Sequence, residues 1–230
     1  MKSFVTTVSK IETITDTKWL LYLEKPTNFL YKPGQFVTFT LTHPKLGQIT
    51  RPYSIASLPE ERYLLFFISL KPQGVMSNVL QTLKKGDEIL IRGPFGTITP
   101  DRIGTNFDTL LLIAAGTGIG PIRPLVKYYY FLQNELKLYV FHQVSYIKEL
   151  VFKEEFKSWA TWYVAFASQE KSELLSKHND IKKGYIFDYW HEISKLYKNN
   201  NFKVVTFGPS GFVHKVLTFF EDKNVIKEGW

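Results

Sequence analysis

Residues 109–121 constrain this chain more than any other segment. Thr109–Ala114 is a continuous apolar run, the pattern of a strand covered on both faces of its sheet. It leads directly into Ala115-Gly116-Thr117-Gly118-Ile119-Gly120-Pro121. Glycines at such a point let the main chain turn sharply and let a ligand approach the backbone closely. The free N–H groups of the helix start and the helix dipole favour a diphosphate there. Pro121 suits a first helical turn, where no N–H partner is needed. The dinucleotide fingerprint asks for glycine at 116, 118 and 121, and proline at 121 breaks it in the last position. The alternative is a glycine turn that only connects strand to helix.

From about residue 107 onward, strand and helix patterns alternate. Strands are expected at Thr109–Ala114, Leu136–Phe141, Trp162–Phe166 and Lys203–Phe207, and helices at Pro121 to about Gln133, Glu149–Trp159, Phe187–Tyr197 and Gly211–Phe220. This alternation implies a doubly wound parallel α/β sheet. Residues 1 to about 100 follow a different pattern. Phe4–Ile14, Trp19–Glu24, Phe36–Leu41, Tyr53–Ala56, Tyr63–Leu70 and Glu88–Arg92 are short runs rich in β-branched and aromatic residues, separated by turn signals such as Lys32-Pro33-Gly34 and Lys84-Lys85-Gly86-Asp87. Six such strands predict a small antiparallel β-barrel, with one helix inserted at Val75–Leu83. The expected domains are therefore 1–100 and 101–230, with a linker at about Thr97 to Phe107.

Composition removes several function classes. The chain has no cysteine, which excludes disulfides, thiolate-held iron–sulfur clusters, zinc ribbons and a catalytic thiol. The longest apolar run, Leu110–Ala115, is too short to span a bilayer, and the first residues carry no apolar stretch behind a basic start. A soluble cytoplasmic protein is the expectation. The net charge of +8 comes from scattered lysines with no nucleic-acid motif, so it reads as a solvated surface, with an acidic electron-transfer protein as a secondary candidate partner. No Ser/His/Asp, paired-carboxylate or metal-ligating constellation stands out.

Three further segments are candidates for chemistry. In Arg51-Pro52-Tyr53-Ser54, arginine offers a planar fork for phosphate oxygens, and Tyr53, two residues on, shares its strand face and can lie against a flat ring. Read alone, the segment is equally an ordinary strand entry. Gly74-Val75-Met76-Ser77 is a turn into a short helix and a second place for a phosphate, although a plain capped helix explains it better when it is taken alone. Phe207-Gly208-Pro209-Ser210-Gly211 follows the last parallel strand, at the end of the sheet where such folds bind ligands, or is a simple connection.

Taken in order along the whole chain, these segments resemble the ferredoxin–NADP reductase superfamily, which includes cytochrome b5 reductases and flavin reductases. Gly34-Gln35-Phe36 and Gly93-Pro94-Phe95-Gly96 complete the set. The resemblance implies a barrel that binds FAD followed by a domain that binds NADH or NADPH. By that likeness Arg51 and Pro52 lie along the flavin pyrophosphate and Tyr53 stacks on or near the isoalloxazine. Ser54 sits near its reactive nitrogen. Ile68, Leu70 and Lys71 line the flavin, and Gly74, Val75, Met76 and Ser77 hold its diphosphate. Gly116, Thr117, Gly118, Ile119, Gly120 and Pro121 receive the nicotinamide nucleotide, with Thr117 at the junction. Tyr53, Ser54 and Thr117 are the residues nearest the chemistry; Phe207, Gly208, Pro209 and Trp230 border the site.

Two departures from the family pattern matter. Phe207 stands where the family usually has cysteine, with room in the reading for a ring that excludes water or crowds the nicotinamide. Ser168-Gln169 lacks the arginine that grips a 2′-phosphate, which favours NADH over NADPH, with Lys148 and Lys171 as nearby cations. Trp230 either covers the flavin or is incidental. His142 is expected at a strand end in a packing or solvent-exposed role. The function implied is an NAD(P)H-dependent FAD reductase with a protein acceptor such as ferredoxin or flavodoxin. Alternatives are a flavin or quinone reductase with diffusible acceptors and a non-catalytic FAD-binding subunit.

Overall fold

Alternation of buried and outward residues builds the first half. Val37, Phe39 and Leu41 are buried while Phe36, Thr38 and Thr40 between them are only partly covered, the period of two of a strand with one face on a core. The computed structural model describes residues 2–132, 135–176, 178–197, 201–220 and 224–230. Its first sheet is antiparallel: β1 (Lys2–Thr15), β2 (Lys18–Glu24), β3 (Phe36–His43), β4 (Gly47–Ser54), β5 (Tyr63–Ser69) and β6 (Glu88–Phe95), in the order β4-β3-β6-β1-β2-β5. This is the expected six-stranded antiparallel barrel, built as a half-barrel with β4 and β5 as its edges. Helix α1 (Val75–Leu80) contributes Met76, Val79 and Leu80 to the barrel core.

The second sheet is parallel throughout. After α2 (Pro100–Ile103) come β7 (Thr109–Ala115), a 3₁₀ turn at Gly116–Gly118, α3 (Ile119–Leu132), β8 (Lys137–Val144), α4 (Lys153–Trp159), β9 (Trp162–Ala167), α5 (Ser172–Leu175), β10 (Ile181–Lys183), α6 (Trp190–Ser194), β11 (Phe202–Gly208), α7 (Ser210–Leu217) and β12 (Val225–Gly229). The strand order is β10-β9-β8-β7-β11-β12. Every residue of β7 is buried, because Leu110, Leu112 and Ala114 face α3 while Leu111 and Ile113 face the layer of α6 and α7. No helix among the described residues is long and apolar enough to cross a membrane.

The two halves share one apolar core. On β2 and β5, Leu21, Leu23, Leu64, Phe66 and Ile68 fill the barrel, while Leu20, Leu65 and Phe67 turn the opposite way and pack with Ile119, Ile122 and Leu125 of α3. A strand with two buried faces thus joins barrel to nucleotide sheet.

Some expected boundaries move. The strand expected at Tyr53–Ala56 runs earlier, at Gly47–Ser54: it is the second arm of a hairpin whose turn is tied by His43 Nδ1 accepting from the Lys45 and Leu46 N–H groups. Being an exposed edge, it carries no apolar alternation, and Pro52 is tolerated there because its missing N–H is not needed. The helix expected over Glu149–Trp159 begins only at Lys153, since Phe152 adopts a left-handed φ of 60°. Phe187–Tyr197 divides into a 3₁₀ turn, Ile186–Tyr189, and α6. Helix α3 starts two residues before the expected Pro121, and its expected end at Gln133 lies outside the described residues.

Candidate functional site

The carboxyl ends of β7 and β11 lie side by side, and the glycine turn is packed onto both halves of the molecule. Gly116 has φ +54°, in the left-handed region that glycine adopts most readily, with open space where a Cβ would be. Gly118 is glycine for want of space: a Cβ there would sit 2.3 Å from the Phe207 carbonyl oxygen. Gly120 faces the barrel, its Cβ position 3.5 Å from Ala56 Cβ and 3.8 Å from Phe67 Cβ. The Phe207 ring is fully buried in the core shared with α3; what Phe207 presents to the turn is backbone. Gly208 packs against Ala115. The Trp230 N–H donates to the Gly208 carbonyl (3.2 Å), and the Ser210 N–H donates to the Trp230 carbonyl (3.0 Å). Trp230 is thereby held at the Gly208–Ser210 loop with its side chain exposed.

Beneath the turn lies His142 of β8, fully buried, with Nε2 3.0 Å from the Gly116 carbonyl oxygen and Nδ1 without a partner. Burial is the main reason its pKa is pushed down to about 4; the bond to Gly116 opposes the shift and the nearby Lys18 ammonium adds to it. A neutral buried histidine whose unfolded form takes a proton below its ordinary 6.5 weakens the fold progressively as pH falls from 6.5 to about 4. Between about pH 7 and about pH 5 the unfolding free energy of the wild type should therefore drop about 2 kcal/mol further than that of His142→Phe. Parallel denaturation curves at the two pH values check this, and equal drops would refute it.

The other segments singled out from the sequence lie on the exposed edge strand β4 and after β5. Arg51 is exposed, and among the described residues its guanidinium donates only to the neighbouring Thr50 carbonyl (2.8 Å). The Tyr53 ring stacks on Phe39 at 4.4 Å between centroids, and burial raises its pKa. Among the described residues neither the Ser54 nor the Thr117 hydroxyl has a hydrogen-bond partner. Ile68 and Leu70 send their side chains into the barrel core, so they offer a ligand only backbone; Lys71 is exposed. Ser77 Oγ accepts from the Lys71 N–H at 2.8 Å, which closes the Lys71–Ser77 turn and engages that hydroxyl within the protein.

An arginine absent from the sequence expectations bolts the two halves together. Arg123 of α3, buried, donates to Glu61 Oε1 (2.8 Å) and to the Ala56 carbonyl (2.9 Å), both from the barrel half, and to Glu155 of α4 (2.9 Å from Nε). Its charge on an otherwise apolar helix face, Ile122 to Val126, was the available signal. Burial alone would lower its pKa, but the bonds to Glu61 and Glu155 outweigh that and hold it above the ordinary value. At the carboxyl ends of β8 and β9, Glu149 accepts from the Ser145 N–H (3.0 Å) and Glu170 from the Ile147 and Lys171 N–H groups (2.9 and 3.1 Å). Ser168 Oγ donates to the Val144 carbonyl at 3.3 Å.

The oxidoreductase FAD-binding domain family matches residues 5–99 and the oxidoreductase NAD-binding domain family residues 112–217. The chain belongs to the ferredoxin–NADP reductase superfamily of oxidoreductases. The gamma subunit of sulfhydrogenase 1 from Pyrococcus furiosus is 33% identical over 66% of this chain and 52% of its own length. A ferredoxin–NADP reductase from Pseudomonas aeruginosa is 31% identical over 63% of this chain and 56% of its own length. The chain thus spans about half the length of the curated relatives it matches. The ferredoxin NADP+ reductase of Neisseria gonorrhoeae, solved with FAD and NADP bound, superimposes with a TM-score of 0.84 over 100% of this chain and 99% of its own, at 17% identity, and so shares the superfamily fold.

The residues present fit both groups that the superfamily implies. A glycine cradle that a Cβ would fill, at Gly118, backs the turn where a diphosphate would rest. An exposed guanidinium and an unpartnered hydroxyl, Arg51 and Ser54, lie on the β4 edge where a flavin nucleotide would lie.

Proposed function

We propose that this chain is an FAD-containing reductase that takes a hydride from a nicotinamide nucleotide and hands the electrons to a protein carrier such as ferredoxin or flavodoxin. The observation that carries this reading is the seating of the Gly116–Pro121 turn on the barrel: Gly120 rests on Ala56, two residues past Ser54. On this reading the β4 edge and the nucleotide turn serve one site. In it Arg51 would hold the flavin pyrophosphate, with the Val75–Ser77 backbone on the same group, and Tyr53 would lie beside the ring system. Ser54 would donate to the flavin edge. Thr117, its hydroxyl unengaged, would orient the nicotinamide. FAD, when bound, supplies the redox centre; the chain's own contribution is to hold two flat rings in contact and keep water out. We place the boundary between the FAD-binding and nucleotide-binding parts at residues 100/101, in the connection between β6 and β7.

NADH is the nucleotide this reading favours. The carboxylates of Glu149 and Glu170 sit at the strand ends where Ser168 lies, engage the local backbone N–H groups and oppose a 2′-phosphate. A protein carrier fits the net charge of +8. Burial of the Phe207 ring argues against a nicotinamide site crowded by that side chain, and so against a non-catalytic subunit. The test is the visible spectrum of the purified protein followed by anaerobic NADH and, separately, NADPH. Flavin bands that bleach with NADH at lower concentration than with NADPH are expected. A protein that stays colourless after incubation with FAD would end the flavoprotein reading, and bound flavin indifferent to both nucleotides would end the reductase reading.

A further inference from the structure

We propose that His142 is the positioning residue of the nucleotide turn: its Nε2–H holds the Gly116 carbonyl inward, so that the Thr117 N–H faces the nicotinamide nucleotide. The inference rests on the reading of Gly116–Pro121 as the nucleotide site.

The geometry leaves little freedom in how this bond is made. A carbonyl oxygen only accepts, so the proton of the 3.0 Å bond belongs to Nε2 and the ring is the Nε2–H tautomer. Nδ1 is then a bare lone pair, buried and without a partner among the described residues. An apolar side chain would avoid that buried unpaired atom. What the imidazole adds is the one bond it makes, and that bond goes to the first residue of the turn.

Gly116 is where such a bond has most effect. Its φ of +54° lies in a region glycine enters and leaves easily, and nothing crowds it, so sterics alone do not hold this peptide in place. In a planar trans peptide the N–H points opposite to the C=O. Fixing the Gly116 carbonyl against a fully buried ring therefore fixes the Thr117 N–H in the opposite direction, away from the core. The same carbonyl accepts the Ile119 N–H that closes the 3₁₀ turn, so both lone pairs are used and the peptide has no reason to flip. Lys18 of β2, whose ammonium donates to Ser69 Oγ at 2.8 Å, lies close enough to act on the ring electrostatically.

The experiment uses the FAD-loaded protein and NAD+ as a redox-inert probe, with binding followed by calorimetry. His142→Phe keeps the ring volume and removes the donor; His142→Gln restores a nitrogen donor near the Nε2 position. His142→Phe is expected to weaken NAD+ binding about tenfold, equivalent to ~1.4 kcal/mol, with unchanged flavin content, and His142→Gln to return within about threefold of wild type. Wild-type affinity in His142→Phe, or a His142→Gln variant as weak as His142→Phe, would overturn the inference. If His142→Phe does not fold, nitrogen-labelled histidine in the wild type decides. The ring must carry its proton on Nε2 at neutral pH and its signal must shift on saturation with NAD+; an Nδ1–H ring or an indifferent signal refutes the role. A wild-type holoprotein that binds no nicotinamide nucleotide would bring down the site reading itself, which is distinct from wild-type binding with an indifferent His142→Phe.

Discussion

Arg123→Leu is expected to lower the unfolding free energy by about 3 kcal/mol and Tm by roughly 6–12 °C. The guanidinium side chain is 8% exposed and satisfies Glu61 and Glu155, which are 32% and 35% exposed, as well as the Ala56 carbonyl. Leucine would fill part of the space but leave two carboxylates facing each other across the junction without their cation. Because those carboxylates reach solvent at their edges, the cost belongs at the low end of what breaking a buried pair entails. Lysine should recover less than half of it, since a single ammonium cannot reproduce the fork that reaches both glutamates, nor the stack of the guanidinium 5.1 Å from the Phe152 ring. Chemical denaturation of Arg123→Leu, Glu61→Gln and the double variant measures this. A loss under about 1 kcal/mol, or strict additivity in the double variant, would mean that the arginine does not clamp the halves together.

The clamp also marks the limit of what the sequence alone disclosed. Elements whose burial follows from their own residues were readable. Thr109–Ala115 is buried on both faces and looks so, and β3 alternates as a one-faced strand must. Edge elements were not. The residues Gly47–Arg51 of β4 carry no apolar alternation because that strand has little core to face, and β10 and β12, three and five residues long and rich in charge, pair with β9 and β11 and bury Ile181 and Ile226, too short a pattern to announce a strand. The break before α4 depends on Phe152 in a left-handed conformation, which the phenylalanine itself does nothing to predict.

The site divides along the same line. Glycine turns and the Arg-Pro-Tyr-Ser run are local chemistry, written in consecutive residues, and they could be read as such. The bond from His142 to Gly116 joins residues 26 apart, and the bonds from Arg123 to Glu61 join residues 62 apart. Their meaning exists only after β8 is laid beside β7 and α3 on the barrel. Phe207 illustrates the converse. Its replacement of the usual cysteine was legible, but which way the ring turns was decided by the core shared with α3.

Of the glycines in the nucleotide turn, Gly118 should be the least replaceable. In Gly118→Ala the new Cβ would lie 2.3 Å from the Phe207 carbonyl oxygen, 2.7 Å from its carbon and 3.2 Å from the Gly208 nitrogen. All three are backbone atoms of β11 and its exit, so no side-chain rotation relieves the overlap. The turn must lift off the sheet. NAD+ binding should weaken at least about tenfold, and stability should fall by roughly 1–3 kcal/mol. FAD should stay bound, because the flavin contacts proposed on β4 and α1 belong to the barrel half. Gly116→Ala isolates the other reason for glycine: nothing lies within 4 Å of its Cβ position, but φ is +54°, so a cost of about 1–2 kcal/mol should come from conformation alone. Gly211→Ala has neither problem and should stay within about 0.5 kcal/mol of wild type with unaltered nucleotide binding. The order Gly118 worst, Gly116 intermediate, Gly211 neutral is what calorimetry with NAD+ and thermal melts should return. A Gly118→Ala protein that binds NAD+ like Gly211→Ala would mean that close approach of the turn to β11 is not what shapes the nucleotide site.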